Sequence, residues 1–336
     1  MASRFPFWPL LLTLSGLLGS ATLLNRLIDP LWYGGGNRLS EVNFTFNERI
    51  GKLNRLARET PPEAYDCLIL GSSRATALSP RRLTPQRCFN LALKGAELPE
   101  FLAYGRQATA LGLRPATVYV SVDDFNFLHK QETERRSQPV VAATPGFWQA
   151  YVSADVLLFS LMTLAGVSPD PHTYYDRDFE LREFPGRRYA AVELRDEADL
   201  RCDPGAVARF AELRRLFPQA RLIGWVPPMT PWAQASQLAS RGVLDCVLEA
   251  YHQVAGGLDA LHDFALPSPL TLDPAVSYDG SHFSPAANLA VADQLMGRRQ
   301  DLALAVKPLT LADYRREIRT RLAAYLQAQG RPELLP

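Results

Sequence analysis

The sequence predicts an α/β domain with a mainly parallel five-stranded sheet, preceded by one N-terminal transmembrane helix. Three observations support this prediction. One apolar run at the start is long enough to cross a bilayer, five short apolar runs recur between amphipathic segments, and most of these runs end in Gly, Ser, Asp or Pro. Apolar strands that alternate with helices are typical of a parallel sheet covered on both faces.

The composition is that of a globular protein and excludes several classes. The chain has 36 Lys and Arg against 35 Asp and Glu, so no global field attracts nucleic acid, and we expect no such partner. A mean hydropathy of -0.10 excludes a protein with many membrane spans. The length of 336 residues allows one large domain with appendages or two domains, and the regular strand-helix rhythm favours one.

Residues 5–24 carry no ionisable side chain and lie between Arg4 and Arg26. About 20 apolar residues suffice to cross a hydrocarbon core. A buried core helix would show a polar face, and a cleaved signal peptide would need a better small-x-small site than residues 19–21 provide. Trp32 and Tyr33 suit a membrane interface. We therefore expect residues 1–33 to anchor the chain in bilayer lipid.

The location we expect is an inner or cytoplasmic membrane crossed once, with the main domain on the extracytoplasmic side. Positive charge does not fix this orientation. Arg4 on one side of the run is matched by Arg26 and Arg38 on the other, so the positive-inside rule favours neither direction.

The remaining elements follow in order along the chain. Residues 34–60 are predicted to be a connector, residues 61–300 the α/β domain, and residues 301–336 a C-terminal segment whose helix packs on the domain. The predicted strands are 65–70, 88–93, 117–122, 221–226 and 258–265; the predicted helices are 97–111, 205–217, 235–254, 285–296 and 310–329.

An insertion at about residues 131–201 interrupts this rhythm, and it is too long for an ordinary connection. Such a segment is a lid, a binding element or disordered. Its apolar part, residues 148–167, contains Asp155 and several Ser and Thr, which favours a buried core helix over a second membrane span.

The four cysteines form no CxxC pair and no Cys/His cluster, so we predict no metal site, and no cofactor is indicated. Cys67 and Cys88 lie in apolar runs and are expected to be buried as small hydrophobic side chains. An even number of cysteines also allows disulfides in an extracytoplasmic domain, with partners that the sequence leaves open.

The first motif with chemical potential follows the strand predicted at 65–70. Gly71, Ser72, Ser73 and Arg74 come directly after the apolar run. Ligands of open α/β sheets bind at the carboxyl ends of strands, where Ser73 would present its hydroxyl beside backbone N–H groups that can stabilise an oxyanion. Gly-Ser-Ser is also a common turn, so this motif alone predicts only a turn.

The second motif joins Asp279 and His282 on a loop that enters a helix through Ser284 as N-cap and Pro285 as first residue. The aspartate can fix the imidazole tautomer, so that the other ring nitrogen can accept a serine proton. Alone, the motif is an ordinary Asp turn with a surface histidine. A strand-end serine upstream, in the order Ser, Asp, His, favours a catalytic set instead.

These blocks resemble the SGNH or GDSL hydrolase superfamily, in particular a membrane-anchored branch with Gly-Ser-Ser-Arg in place of Gly-Asp-Ser. The resemblance covers roughly residues 66–296 and implies a three-layer, flavodoxin-like fold. It implies that Ser73 is the nucleophile and that Ser72 stands where the family usually has Asp. Asp279 and His282 fall on its last block. The second block, residues 90–96, would place the Gly95 amide in an oxyanion hole.

The third block departs from the family pattern. The family supplies an Asn side chain to the oxyanion hole, and this sequence has Asp123 there. An ionised Asp123 would repel an oxyanion, so it turns away, is protonated, or is replaced by Asn126. Arg74 and Lys94 flank the expected donors and are candidates for binding an anionic substrate group, although solvated surface charge explains them equally well.

The resemblance implies ester hydrolysis or transfer of a small acyl group through an acyl-serine, with a cell-envelope polysaccharide as substrate. The alternative is a non-catalytic envelope assembly or glycan-binding protein that keeps the fold, and Asp123 is its main support. The distance from Ser73 Oγ to a His282 ring nitrogen separates the two, because catalysis needs a hydrogen bond of about 2.6 to 3.2 Å.

Overall fold

The structure is a computed structural model of the chain. It describes residues 7–40, 42–44, 46–58, 64–130, 146–167, 173–176, 179–183 and 200–335. Much of the predicted insertion, at 131–145, 168–172 and 184–199, lies outside the described residues. The chain divides into two compact units: Met1–Pro61 with Ala142–Phe184, and Pro62–Val141 with Pro185–Pro336.

The described strands are β1 (Cys67–Leu70), β2 (Cys88–Asn90), β3 (Thr117–Ser121), β4 (Leu128–Lys130), β5 (Thr173–Tyr175), β6 (Leu181–Glu183), β7 (Leu200–Cys202), β8 (Arg221–Val226), β9 (Ala260–Asp263) and β10 (Leu304–Ala305). The described α-helices are α1 (Phe7–Ile28), α2 (Glu48–Arg58), α3 (Leu98–Ala110), α4 (Phe147–Tyr151), α5 (Ala154–Leu164), α6 (Val207–Leu216), α7 (Pro231–Gln234), α8 (Leu244–Gly257), α9 (Pro285–Leu295) and α10 (Leu311–Ala328).

The second unit contains a six-stranded sheet in the order β10-β9-β8-β3-β1-β2. Five strands are parallel, and β10 pairs antiparallel with β9 at the edge. The five predicted strands are confirmed. The sixth strand, β10, was not predicted, because two residues are too few to form a recognisable apolar run. Numbered along the chain, the parallel strands have the order 2-1-3-4-5, which is the flavodoxin-like order with its switch point between β1 and β3. The predicted fold class is therefore confirmed.

Both faces of this sheet are covered, which is why its strands are apolar throughout. Side chains of α9, among them Val291 and Leu295, join a core with Ile69, Tyr119 and Ile223 on one face. On the other face Leu68 and neighbouring strand residues are fully buried. The helices α3, α6 and α8 pack on one another in sequence. The unit thus has the three layers that the strand pattern predicts.

All four cysteines are paired in the structure. Cys67 bonds Cys88, and Cys202 bonds Cys246. Cys67 and Cys88 are buried, as expected, and they form one of the disulfides that the sequence left open, because the register of β1 and β2 places the two residues directly opposite each other. The sequence could not provide this register, which depends on how the two strands pair.

The helix predicted at 235–254 is interrupted. A π-helical turn, Ala235–Ala239, follows α7, and α8 begins only at Leu244. Gly242 has a φ of +68°, a left-handed conformation that ends the first segment and that glycine adopts without strain. The apolar pattern continues across this break, so the prediction of one continuous helix is wrong there.

The first unit contains α1, which is long and apolar enough to cross a membrane; no other helix of the described residues meets that criterion. Its most apolar window is not buried in the structure, unlike that of a core helix. Beyond its end, the buried Asp29 carboxylate accepts hydrogen bonds from the amides of Tyr33, Gly34 and Gly36. The turn formed by Tyr33 and the three glycines after it is thus held by hydrogen bonds to one carboxylate.

The described segments of the insertion between residues 146 and 183 belong to this first unit, whereas its last residues, in β7, belong to the second. The prediction of one buried core helix at 148–167 is wrong, because the segment forms two helices, α4 and α5, with exposed leucines. The polar Ser160 and Thr163 are buried, whereas Leu158, Leu161 and Leu164 are exposed. Polar side chains of α5 are therefore buried and leucines exposed, the reverse of the arrangement in a core helix.

The helix predicted at the C-terminal end is present as α10, and its buried side chains Tyr314, Ile318, Leu322 and Leu326 lie on one face. Tyr314 Oη donates to Asp263 Oδ2 at 2.5 Å, and the Ala265 amide donates to Asp263 Oδ1 at 2.8 Å. Asp263 is fully buried at the end of β9. This carboxyl group therefore joins α10 to the sheet.

Asp263→Asn should change how stability depends on pH. Burial raises the pKa of Asp263 to about 6, although Tyr314 and the Ala265 amide lower it in part. Because the folded-state pKa exceeds the usual value, the stabilising contribution of the protonated carboxyl is complete below about pH 4 and is lost as the pH rises through about 6. As the pH rises from below about 4 to above about 6, the free energy of unfolding should therefore fall by about 3 kcal/mol more for the wild type than for the variant.

Guanidinium unfolding of the full chain in detergent at pH 4 and pH 7 measures this difference. Asp259→Asn is the control, because Arg214 and the Leu222 amide, acting against burial, lower the pKa of Asp259. Its effect should be small and opposite in sign. Equal pH dependence in wild type and Asp263→Asn would contradict the prediction.

Candidate active site

The predicted motifs meet at the carboxyl edge of the sheet in the second unit. Residues 71–74 follow β1 and residues 122–126 follow β3, so both lie at the switch point between these neighbouring strands. The loop 277–284 reaches the same place from the segment before α9. This edge is where flavodoxin-like sheets bind their ligands.

Ser73, His282 and Asp279 form a continuous chain of hydrogen bonds. Ser73 Oγ lies 2.7 Å from His282 Nε2, and His282 Nδ1 lies 2.7 Å from Asp279 Oδ2. Ser73 and His282 are half-buried, so a substrate can reach the hydroxyl. The distance between Ser73 Oγ and His282 Nε2 is that of a hydrogen bond, as a proton transfer between the two groups would require.

The loop around Asp279 is shaped by the aspartate itself. Asp279 Oδ1 accepts hydrogen bonds from the amides of Ser281 and His282, which leaves Oδ2 for the imidazole. Ser284 then caps α9 by accepting from the Ala287 amide, as predicted. One carboxylate thus closes the turn and orients the histidine, which explains the spacing of three residues.

Asp279 is held in its ionised form. Burial raises the pKa of this carboxyl, but the hydrogen bond and charge of His282, together with the two backbone amides, outweigh that effect and hold the pKa well below its usual range. A carboxylate that stays ionised can stabilise a positively charged imidazole next to it.

Asp123 points toward the interior and binds two serines. Its Oδ1 accepts from Ser72 Oγ at 3.0 Å and its Oδ2 accepts from Ser121 Oγ at 2.6 Å. Ser121 Oγ in turn accepts from the Ser72 amide at 3.3 Å. Burial raises the pKa of Asp123, and the nearby charge of Arg74 lowers it in part. The carboxylate therefore fastens the turn after β1 to the end of β3.

Arg74 is paired with the carboxylates of the third block. Its Nη1 lies 2.6 Å from Asp124 Oδ1 and 3.8 Å from Asp123 Oδ1, and its side chain is 10% exposed. Burial lowers the pKa of Arg74, but Asp124 and Asp123 together raise it above the usual value. The guanidinium thus neutralises buried acids beside the serine turn.

The other predicted binding residues lie around this turn. Gly95 is exposed and has a φ of +67°, and Lys94 beside it is half-buried. The Leu93 amide donates to Gly71 O at 2.9 Å, which joins the Gly95 turn to the serine turn. The Asn126 side chain donates to Asp123 O and accepts from the Leu98 amide. Its amide group thus supports the backbone between the third block and α3.

Two further residues support the site: Asn90, which opens the second block of the resemblance, and Thr230, which was not singled out from the sequence. Asn90 donates from its side chain to the carbonyls of Ala75, Thr76 and Leu78, which shapes the chain after Ser73. The Thr230 amide donates to Gly280 O at 2.8 Å and so supports the histidine loop. The sequence could have indicated them only by their position at the carboxyl ends of strands, since Asn90 ends β2 and Thr230 lies shortly after β8. No group of three or more His, Cys, Asp and Glu residues within the described segments could hold a metal ion.

Comparison with known proteins gives structural likenesses only. No protein-family model matches the chain, and no curated protein matches it. A proposed platelet activating factor from Streptococcus pneumonia aligns with a TM-score of 0.39 at 12% identity, over 84% of this chain and 98% of its own. A proposed acylhydrolase from Bacteroides fragilis NCTC 9343 aligns with a TM-score of 0.33 at 13% identity, over 69% and 86%.

A GDSL-like lipase from Bacteroides thetaiotaomicron VPI-5482 aligns with a TM-score of 0.33 at 11% identity, over 69% of this chain and 87% of its own. Likeness at this level does not assign an activity to the chain. The chemistry of the site rests on the geometry of Ser73, His282 and Asp279.

Gly71→Ala should destabilise the serine turn. A Cβ at Gly71 would collide with Ser121 Oγ and Ala75 Cβ. Ser121 cannot move away without losing its hydrogen bond to Asp123, so we expect the free energy of unfolding to fall by about 1–3 kcal/mol.

Gly256→Ala is the matched control, because a Cβ there meets nothing within 4 Å and the residue lies in α8. Removing a helical glycine should raise stability by about 0.5–1 kcal/mol. Denaturant unfolding of both variants measures the two opposite changes. A Gly71→Ala variant as stable as wild type would show that the close approach of Ser121 is unimportant.

Proposed function

We propose that this chain is a membrane-anchored serine esterase or O-acyltransferase that acts through an acyl-serine intermediate, with a cell-envelope glycan as substrate. The observation that carries the proposal is the continuous hydrogen-bonded chain from Ser73 through His282 to Asp279, with 2.7 Å at each step. A hydroxyl, an imidazole and an ionised carboxylate in this order are what nucleophilic acyl transfer requires.

The reaction has two halves. Ser73 Oγ attacks the carbonyl carbon of the ester while its proton passes to His282 Nε2. The tetrahedral intermediate then collapses, the ester C–O bond breaks, and the leaving alcohol takes the proton from His282. Water or an acceptor hydroxyl, deprotonated by His282, attacks the acyl-serine and restores Ser73. Asp279 remains ionised throughout and stabilises the imidazolium.

Backbone amides supply the oxyanion hole in this proposal. Within the described residues the amides of Ser73 and Gly95 donate to no acceptor, which leaves them available to an oxyanion. Asp123, the main support for a non-catalytic alternative, has both carboxylate oxygens occupied by serine hydroxyls. Its charge is directed at Ser72, Ser121 and Arg74, and the Asn126 side chain is not needed as a donor.

Two features support an extracytoplasmic, membrane-bound location. The first is α1, whose length and apolar composition suit a single span. The second is the pairing of all four cysteines, because stable disulfides are typical of oxidising compartments. An esterase or acyltransferase held at the outer surface of a membrane would meet the acylated polysaccharides of the cell envelope.

Ser73→Ala should abolish labelling by a fluorophosphonate, because the probe phosphonylates only a serine that a histidine activates. We expect the wild-type chain in detergent to be labelled and the variant not. Ser240→Ala, which removes an exposed serine of the same unit, should label like wild type. In-gel fluorescence measures the result, and an unlabelled wild type that also fails to cleave acetyl esters would count decisively against the proposal.

Asp279→Asn should lower kcat on acetyl esters by about a thousandfold or more and leave KM nearly unchanged. The amide can still accept from the backbone, but it presents an N–H to His282 Nδ1 and so favours the wrong tautomer. Asp273→Asn is the control, because Asp273 is an exposed capping residue before the same loop. Steady-state kinetics would contradict the assigned role if both variants kept wild-type turnover.

A further inference from the structure

The helix α5 has an apolar face that no described residue covers. Leu158, Leu161 and Leu164 are 54%, 49% and 52% exposed, and Val167 just beyond the helix is 52% exposed. Trp148, on α4, is 74% exposed. From residue 156 to residue 167 the sequence contains no ionisable side chain. A contiguous exposed surface of this kind marks an interaction site.

The opposite face of α5 packs against the last turns of α1. Ser160 Oγ donates to Asn25 Oδ1 at 2.9 Å, and Asn25 Nδ2 donates to Tyr151 O at 2.8 Å. Asn25 and Ser160 are both buried. The apolar surface of α5 is thus continuous with α1, whose own leucines are exposed along most of its length.

The arrangement of polar and apolar residues fits lipid better than water. In α5 Ser160 bonds to α1 and Thr163 is buried, whereas the leucines at 158, 161 and 164 are exposed, the reverse of a helix on the surface of a globular protein. Near the end of α1, Arg26 lies 5.6 Å from the ring centre of Tyr151, and Arg58, at the end of α2, lies 4.8 Å from that of Tyr33. Both rings are buried, as is that of Trp32, so the interfacial positions expected for Trp32 and Tyr33 are not borne out.

We propose that α5 lies in the bilayer interface as a second, non-spanning membrane contact, with Leu158, Leu161 and Leu164 among the acyl chains next to α1. The proposal rests on the proposed anchoring by α1. An 11-residue helix is about 16 Å long, which is too short to cross a hydrocarbon core of about 30 Å, so α5 lies along the interface. Two contacts, unlike one, prevent the first unit from rotating about the axis of α1.

Site-specific fluorescence tests this contact on the full chain. Leu161→Cys, Leu14→Cys and Leu289→Cys each introduce one thiol at an exposed leucine, on α5, on α1 and on α9 of the second unit. Among the described residues every native cysteine is in a disulfide, so an NBD fluorophore attaches only at the new thiol. The labelled chains are reconstituted into phosphatidylcholine–phosphatidylglycerol vesicles with or without nitroxide-labelled lipid.

We expect NBD at positions 161 and 14 to emit at shorter wavelength and to lose about half or more of its intensity to the nitroxide lipid. NBD at position 289 should emit as in water and not be quenched. Thermal unfolding of each labelled chain checks that the labels leave the fold intact.

The other outcomes separate the two proposals. If position 14 is quenched and position 161 emits as in water, α1 anchors the chain and the proposal for α5 is overturned. If position 161 emits at shorter wavelength but nitroxide lipid does not quench it, a second protein surface covers α5 and the lipid proposal is equally overturned. If neither position is quenched, anchoring itself fails, and the α5 proposal fails with it.

Discussion

The buried carboxylate of Asp123 is the interaction on which the serine turn depends. It accepts hydrogen bonds from Ser72 and Ser121, and so ties the chain that leaves β1 to the chain that leaves β3. Parallel strands are held to each other only along their length, and the loops beyond them are free to separate unless something joins them. Because Ser73 directly follows Ser72, this carboxylate limits where the hydroxyl can point toward His282. Arg74 supplies the charge that a buried acid needs.

Ser72 and Asp123 act together at the serine turn. Their side chains are in direct contact, because Ser72 Oγ donates a hydrogen bond to Asp123 Oδ1. From the sequence alone, an ionised Asp123 was expected to repel an oxyanion. Taken with Ser72 and Ser121, it is an acceptor with both oxygens in use.

The sequence predicted what depends on local pattern. The five parallel strands were found because both faces of the sheet are buried, and Ser284 was found as N-cap because its spacing to Pro285 is local. The Ser–Asp–His order was found because each residue follows a recognisable strand or precedes a helix. What failed depended on contacts distant in sequence: the Cys67–Cys88 register, the partners of Asp123, and the outward-facing leucines of α5.

Asn25 shows why the insertion and the N-terminal segment form one unit. It lies near the end of an apolar 22-residue helix and is buried, where an amide without partners would be destabilising by a few kcal/mol. Its partners, Tyr151 O and Ser160 Oγ, come from more than 120 positions further along the chain. An isolated α1 would lose both of these partners. The insertion therefore supplies the hydrogen bonds of the buried Asn25 side chain, and Ser160 faces α1 as one of its partners.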